Sequence, residues 1–272
     1  ATVYTSNGYW PYTFLWNNLG LSTTEDVSTL SANTYTVVIT DSCGSSIIDS
    51  VVISEPALLV ISITSTNVSC FGGGDGTATA TPSGGTSPYN YMWNNGQTTS
   101  TAVGLFPGLQ AVNVFDVNSC IASNNITISQ PFVLSASATG TNITCNAGSN
   151  GGVNLNVSGG TSPYTYLWSN GDSIEDITGL TAGLYAVTIT DSCGSAVSTS
   201  VVLTQPLVPG SNITSVNVSC NAGNDGSASL TVNGGTSPYT YLWSNAAITE
   251  DLSGLTANTY TVNITDNCGI SA

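Results

Sequence analysis

A segment of about 75 residues recurs four times along this 272-residue chain. Gly159-Gly160-Thr161-Ser162-Pro163-Tyr164-Thr165-Tyr166-Leu167-Trp168-Ser169-Asn170 returns letter for letter at residues 234–245, with weaker copies at 84–95 and 7–18. Trp16, Trp93, Trp168 and Trp243 therefore stand 77, 75 and 75 residues apart. A fixed period of this size describes an array of similar modules, and the function has to be one that an array performs. Seams at Glu55-Pro56, Gln130-Pro131 and Gln205-Pro206 cut out two complete copies, 57–131 and 132–206. They are flanked by 1–56, which lacks its beginning, and 207–272, which lacks its end. Ala1-Thr2-Val3 aligns with Ala78-Thr79-Ala80, so the first copy is short of about its first 21 positions. The chain thus reads as a window on a longer polypeptide. A copy of this length closes only a small core, so staples and contacts with neighbours are expected to support it.

The charge pattern excludes several functions. There is no Lys, Arg or His against 15 Asp and Glu, a formal charge of -15. Recognition of a nucleic-acid backbone needs cationic side chains, so no nucleic-acid partner is expected. Binding to an anionic membrane surface is disfavoured for the same reason. The longest apolar run, Ala57-Leu58-Leu59-Val60-Ile61, is too short for membrane insertion. Side-chain ion pairs cannot form, so apolar burial, backbone pairing and disulfides have to supply stability. The chain is nonetheless not of disordered composition, since 40% of its residues are hydrophobic and regularly placed.

Within a copy the apolar spacing has period two. In the fourth, Ala228, Leu230 and Val232 alternate with Ser227, Ser229 and Thr231. After the Gly234-Gly235 break, Tyr239, Tyr241 and Trp243 share one face of a strand, with Thr240 and Leu242 on the other. A short strand follows between Ile248 and Leu255, then another in which Tyr260, Val262 and Ile264 alternate with polar residues. Complete copies add a last strand, such as Val197 to Leu203. No segment carries a 3.6-residue apolar period. Six or seven short strands parted by Gly, Pro, Asn and Asp describe an antiparallel β-sandwich, so the expected fold class is all-β, tandem Ig-like sandwiches in a linear array.

The motif Gly-Gly-Thr-Ser-Pro-Tyr-x-Tyr-x-Trp-x-Asn resembles the SprB-type repeat of giant gliding-motility and surface adhesins in Bacteroidota. So does Gly-Leu-x-Ala-x-x-Tyr-x-Val-x-Ile-Thr-Asp at 179–191 and 254–266, followed by a Cys and a Gln-Pro-ended strand. The resemblance implies Ig-like modules, related to the polycystic-kidney-disease type, exported by type IX secretion to the cell surface. The second copy departs from the pattern, with Gln110 where the others have Tyr35, Tyr185 and Tyr260. A tyrosine-corner role is not expected there.

Trp16, Trp93, Trp168 and Trp243, with Tyr35, Tyr185 and Tyr260, are expected to be structural core, because each falls on the apolar side of its strand. Stacking on sugar rings is the competing reading of these aromatics. The seven cysteines form two groups: Cys70, Cys145 and Cys220 follow the first strand, and Cys43, Cys120, Cys193 and Cys268 lie at the last turn. An even disulfide framework is expected outside the cell, and without His or Cys-x-x-Cys a zinc site is not. Pairing within a copy would join Cys70–Cys120, Cys145–Cys193 and Cys220–Cys268. However, these positions sit at opposite ends of a sandwich, roughly 25 Å apart for strands of about eight residues, whereas bonded cysteines have Cα atoms within about 7 Å. Head-to-tail modules would instead pair Cys70–Cys193 and Cys145–Cys268. Both alternatives stay open on sequence alone.

Other candidate sites are few. Asp75 and Asp225 lie in Gly-rich loops and are the metal candidates, but calcium takes six to eight oxygens and each loop has one carboxylate. Asp41, Asp116, Asp191 and Asp266 end the penultimate strand, where Asp starts a turn. The pairs Glu25-Asp26, Glu175-Asp176 and Glu250-Asp251 point to opposite faces of a strand, a poor geometry for acid–base partners. With no cationic or imidazole side chain, neither catalysis nor a cofactor is expected. Asp49-Ser50-Val51 and Asp172-Ser173-Ile174 resemble the O-glycosylation pattern of Bacteroidota surface proteins, which makes Ser50 and Ser173 glycosylation candidates. The expected function is the structural stalk or filament of a secreted adhesin, its repeats acting as rigid spacers. The expected partners are neighbouring repeats, lateral copies in a filament, and surface glycans or abiotic surfaces. Alternatives are a self-assembling filament subunit joined by strand exchange, and carbohydrate-binding accessory modules of a larger enzyme.

Overall fold

The computed structural model describes residues 1–17 and 20–272; Asn18 and Leu19, at the end of the first copy's motif, lie outside the described residues. Twenty strands are described, with no helix among the described residues. The described residues divide into two compact units, one formed by 1–66 and 76–128 and the other by 67–75 and 129–272.

The third copy, in the second unit, shows the complete pattern. Its strands are β10 (Ser135–Thr141), β11 (Gly151–Ser158), β12 (Thr165–Trp168), β13 (Ile177–Leu180), β14 (Gly183–Thr190) and β15 (Ala196–Leu203). They form two antiparallel sheets, ordered β10-β11-β13 and β12-β14-β15. The core draws on both: Val153, Leu155, Ile177 and Leu180 from one, Trp168, Val187, Ile189 and Leu203 from the other. This is a sandwich, and alternation builds it. In β11 the small and aliphatic residues at 151, 153 and 155 face inward while Asn154 and Asn156 face water.

Within the first unit, the second copy repeats this arrangement with β4 (Val60–Thr66), β5 (Gly76–Ser83) and β7 (Thr101–Leu105) opposite β6 (Asn90–Trp93), β8 (Gly108–Phe115) and β9 (Ile121–Ile128). The first copy contributes β1 (Thr13–Trp16), β2 (Asn33–Thr40) and β3 (Ser46–Ile53) in one sheet. In the second unit, the fourth copy has β16 (Gly210–Val216), β17 (Gly226–Asn233) and β19 (Leu252–Leu255) opposite β18 (Thr240–Trp243) and β20 (Val262–Thr265).

Strand β20 begins at Val262, later than the alternation from Tyr260 suggests. Its counterpart β14 is held along all eight residues by β15, whereas β20 has only a Thr265–Ser271 bridge on that side. Backbone without a ladder partner does not register as strand.

Trp16, Trp93, Trp168 and Trp243 are each 2% exposed. Each indole N–H donates to a loop carbonyl, from Thr24, Thr99, Ile174 and Thr249 respectively, at 2.8–3.0 Å. Tyr35 is buried, but Tyr185 and Tyr260 are half-buried, which corrects their assignment to the interior. Their rings pack on the core while each hydroxyl reaches outward to the carbonyl four residues upstream, Thr181 and Thr256, as Tyr35 does to Ser31. Gln110 makes the same link in the second copy: its Nε2 donates to Phe106 O at 3.3 Å. An amide on a flexible stem thus reaches the same carbonyl as the phenol.

Candidate functional site

The densest polar construction in the second unit gathers at two disulfides and is assembled from three short loops. The first is the turn after β14. Asp191 ends the strand, and its Oδ1 accepts from the backbone N–H groups of Cys193 (3.0 Å) and Ser195 (2.8 Å). Its Oδ2 accepts from Thr161 N at 3.1 Å, thirty residues upstream. Ser192 returns the contact, donating from N and Oγ to Thr161 O. One carboxylate therefore closes the hairpin and fastens it to the Gly-Gly-Thr-Ser-Pro loop. Asp266 does the same for Cys268, Ile270 and Thr236. For Asp191, desolvation is the largest single influence and raises the carboxyl pKa, but the donors on Ser195, Thr161 and Cys193 outweigh it, leaving the pKa lowered.

The Gly-Gly-Thr-Ser-Pro loop is set by Gly159 and Gly160, at φ +69° and +64°. A Cβ at Gly159 would lie 2.1 Å from Val133 O, a clash with backbone that has nowhere to move. Tyr164 then pins the loop by donating to Gly159 O at 2.6 Å.

The third loop follows the first strand and carries the other cysteine. In Asn142-Ile143-Thr144-Cys145, Asn142 Oδ1 accepts from Thr204 N (2.9 Å), and Gly148 N donates to Cys145 O (3.0 Å). Gln205, in the Gln-Pro seam, accepts from Ala147 N at 2.9 Å. The Gln130 side chain accepts from Gly72 N in the same way. These glutamines fasten the cysteine loop of their own copy. In the related loops Asp75 and Asp225 each accept from a serine N–H, Ser69 and Ser219 at 3.0 Å. The Ser69 hydroxyl, the largest influence, and its N–H lower the Asp75 pKa. These carboxylates are engaged by their own turns. Among the described residues no group of three or more metal-binding side chains gathers.

The loops meet covalently. Cys70 is bonded to Cys193 and Cys145 to Cys268, each pair 123 residues apart with Cα atoms 5.8 and 5.7 Å apart. The within-copy alternative is not found: Cys145 and Cys193 bond to other partners, and Cys43, Cys120 and Cys220 are free and exposed. A hydrogen bond accompanies each bridge, from Thr161 Oγ1 to Ser69 O and from Thr236 Oγ1 to Thr144 O, both 2.8 Å. Sequence reasoning missed these threonines. The available signal was their return at 86, 161 and 236 against Tyr9 in the first copy. The glycosylation candidates Ser50, on β3, and Ser173, between β12 and β13, are both exposed and lie away from these loops in sequence.

Sandwich modules in tandem, with a disulfide and a threonine contact joining a loop of one to a turn of the next, define a class of extracellular Ig-like repeat proteins. The SprB repeat model matches the chain three times, over residues 62–98, 137–173 and 212–248, each match running from the first strand of a copy to just beyond the tryptophan strand. The chain carries SprB repeats in tandem. No curated protein sequence matches it. Among solved structures, Sidekick-1 immunoglobulin domains 1–5 align over 96% of this chain and 72% of that one, at 13% identity and a TM-score of 0.40. A tetra-tandem repeat from the extending region of a large adhesion protein aligns over 97% of this chain and 91% of that one (16% identity, TM-score 0.28). Domains 1–6 of the surface layer protein SbsC cover 96% of this chain and 49% of that one (13% identity, TM-score 0.32). The fold rests on the strand pairing and cores described above.

Proposed function

We propose that this chain is stalk from a secreted cell-surface adhesin or filament, in which each repeat is a spacer and each disulfide joint bears load. The repeats are bounded at 1–56, 57–131, 132–206 and 207–272. The joint carries the reading: it recurs with the same residue types and the same 123-residue separation, as a tension-bearing connection between units requires. The SprB repeats support a surface location, and the disulfides support an oxidising one. With neither His, Lys nor Arg, the chain contributes reach and not catalysis. Its hydroxyl- and amide-rich surface suits weak attachment at many points to glycans or abiotic surfaces, where multivalency multiplies modest affinities. Gliding motility is one process such a stalk serves.

The test is to shorten the repeat array in the parent adhesin, or replace it with unrelated Ig modules of equal number. Attachment falls with shortening and survives the exchange if the repeats are spacers. Strong binding of the isolated chain on a glycan array would point to a carbohydrate-binding module instead. A groove of about 320 Å³ in the fourth copy, lined by Val216, Val218, Gly226, Trp243, Leu255 and Tyr260, favours a second reading, assembly by strand exchange. It lies where Leu203 packs in the third copy. A peptide of residues 196–203 that failed to raise the melting temperature would remove that reading.

A further inference from the structure

Two halves of the joint are present in this chain without a partner. The first unit carries an acceptor turn: Asp116 Oδ1 accepts from Asn118 N (2.9 Å) and Cys120 N (2.8 Å), and its Oδ2 accepts from Thr86 N (2.9 Å). Val117 N donates to Thr86 O at 3.1 Å. Bond for bond, this is the construction around Asp191 and Thr161 that receives the Ser69-Cys70 loop. The second unit carries a donor loop: Ser219 N donates to Asp225 Oδ1 (3.0 Å) and Gly223 N to Cys220 O (2.9 Å). The Ser69-Cys70 loop closes identically, through Asp75 at 3.0 Å and Gly73 at 2.9 Å. Cys120 and Cys220 are both free and exposed.

We propose that the Thr86–Asp116–Cys120 face accepts the Ser219-Cys220 loop of a second copy of this chain, closing with an intermolecular Cys220–Cys120 disulfide that joins chains head to tail. Two occupied joints in the same molecule, each a turn cysteine with a Gly-Gly-Thr threonine receiving a Ser/Thr-Cys loop, specify the occupant. Cys43 is the competing turn cysteine, but its loop has Tyr9 in place of the threonine and holds Asp41 Oδ2 at 3.4 Å from Tyr9 N. It lacks the hydroxyl that donates to the incoming serine carbonyl, so Cys220 selects Cys120. The bond forms by exchange with a disulfide oxidant such as oxidised glutathione. The first thiolate displaces one glutathione thiolate, giving a mixed disulfide. The second attacks the protein sulfur of that species and releases the other glutathione, so two thiol protons and two electrons pass to two molecules of reduced glutathione. Each copy carries a charge of -15, so added salt favours the encounter. The proposal does not require that the array bear tension, so its failure would leave the stalk reading standing.

The experiment incubates the purified full chain in a glutathione redox buffer, with its two native disulfides intact. Non-reducing electrophoresis and chymotryptic peptide mapping then follow the products. A ladder of dimers and longer species is expected, with the Cys220–Cys120 peptide about fivefold above Cys220–Cys43, the ratio that one hydrogen bond of about 1 kcal/mol supplies. Cys120→Ser abolishes the ladder, and Thr86→Val lowers its yield about fivefold. In urea the preference for Cys120 disappears; its persistence there would assign it to thiol reactivity and overturn docking. So would a chain that stays monomeric, an in-chain Cys120–Cys220 bond, or products dominated by Cys220–Cys220 or Cys220–Cys43.

Discussion

Asp191 shows how much one side chain organises here. A single carboxylate accepts three backbone N–H groups from two loops in a molecule without a side-chain cation to pair with it. The sign of its pH dependence follows. Its pKa is lowered on folding, so the unfolded chain, with an ordinary Asp pKa of about 3.9, takes up protons first as the solution is acidified. The stability it contributes is full above that value and is lost as pH falls through the lower folded value. Asp41, Asp116 and Asp266 shift in the same direction, with desolvation again the largest influence and again outweighed by backbone donors. We therefore expect the melting temperature to hold from neutrality to about pH 5 and to fall below about pH 4. Acidification also relieves the self-repulsion of a chain at -15, an effect nearly common to wild type and variant. The comparison that counts is with Asp191→Asn, which should melt lower at neutral pH and show a shallower acid slope; equal slopes would rule the carboxylate out. Trp168 makes a stability prediction of a different kind. It is 2% exposed and its indole donates to Ile174 O, so Trp168→Ala should cost about 3–5 kcal/mol in denaturant unfolding.

Elements meet through paired choices that a single strand does not reveal. Where β10 lies against β15, a Cβ on Gly140 would fall 2.4 Å from Leu203 Cδ2, and Leu203, 1% exposed, has no room to swing away. The second copy has Ser65 and Ile128 at the corresponding positions of β4 and β9. A larger residue on one strand thus goes with a differently branched one on the other. Gly140→Ser should destabilise by about 1–3 kcal/mol through overpacking. Adding Leu203→Ile should recover part of that loss, with a coupling of at least about 0.5 kcal/mol in a double-mutant cycle. Simple additivity would mean that the two sites do not speak to each other. This contrast also marks what was legible beforehand. Period-two alternation in 226–233 and 239–243 exposes the strands and their inward faces, because burial on one side of a pleated ribbon leaves that imprint in any chain. The half-exposed Tyr185 and Tyr260, the Gln110 link to Phe106 O and the glutamines of the seams left no such imprint. Their partners are backbone atoms, which carry no residue identity to read. The cysteine spacing likewise leaves two pairings open until the ends of the sandwiches are placed.

For the whole molecule, the decisive property is that the two disulfides overlap along the chain: Cys145 lies inside the 70–193 loop, and Cys193 inside the 145–268 loop. In the chain-entropy model a closed loop of 123 residues is worth about 5 kcal/mol, but the overlap makes the mechanical consequences non-additive. When the ends are pulled until the modules unfold, the shortest covalent route from Cys70 to Cys268 crosses to Cys193, runs back to Cys145 and crosses again. About 48 residues then span what is a stretch of about 198 in the reduced chain, so roughly 150 residues are withheld from extension. Remove one bridge with Cys193→Ser and the remaining one still withholds about 123, so the oxidised chain should lengthen by only about 27 residues, roughly 95 Å at ~3.5 Å per residue. Reducing that last bridge should then release about 430 Å more. Pairing within copies predicts otherwise, because each bridge would hide its own segment independently. The same substitution would free the 48 residues between Cys145 and Cys193, about 170 Å. Force–extension curves on the chain held by terminal handles, oxidised and reduced, separate 95 from 170 Å. The smaller step is the signature of interlocked joints, in which loss of one bridge leaves most of the chain shielded by the next.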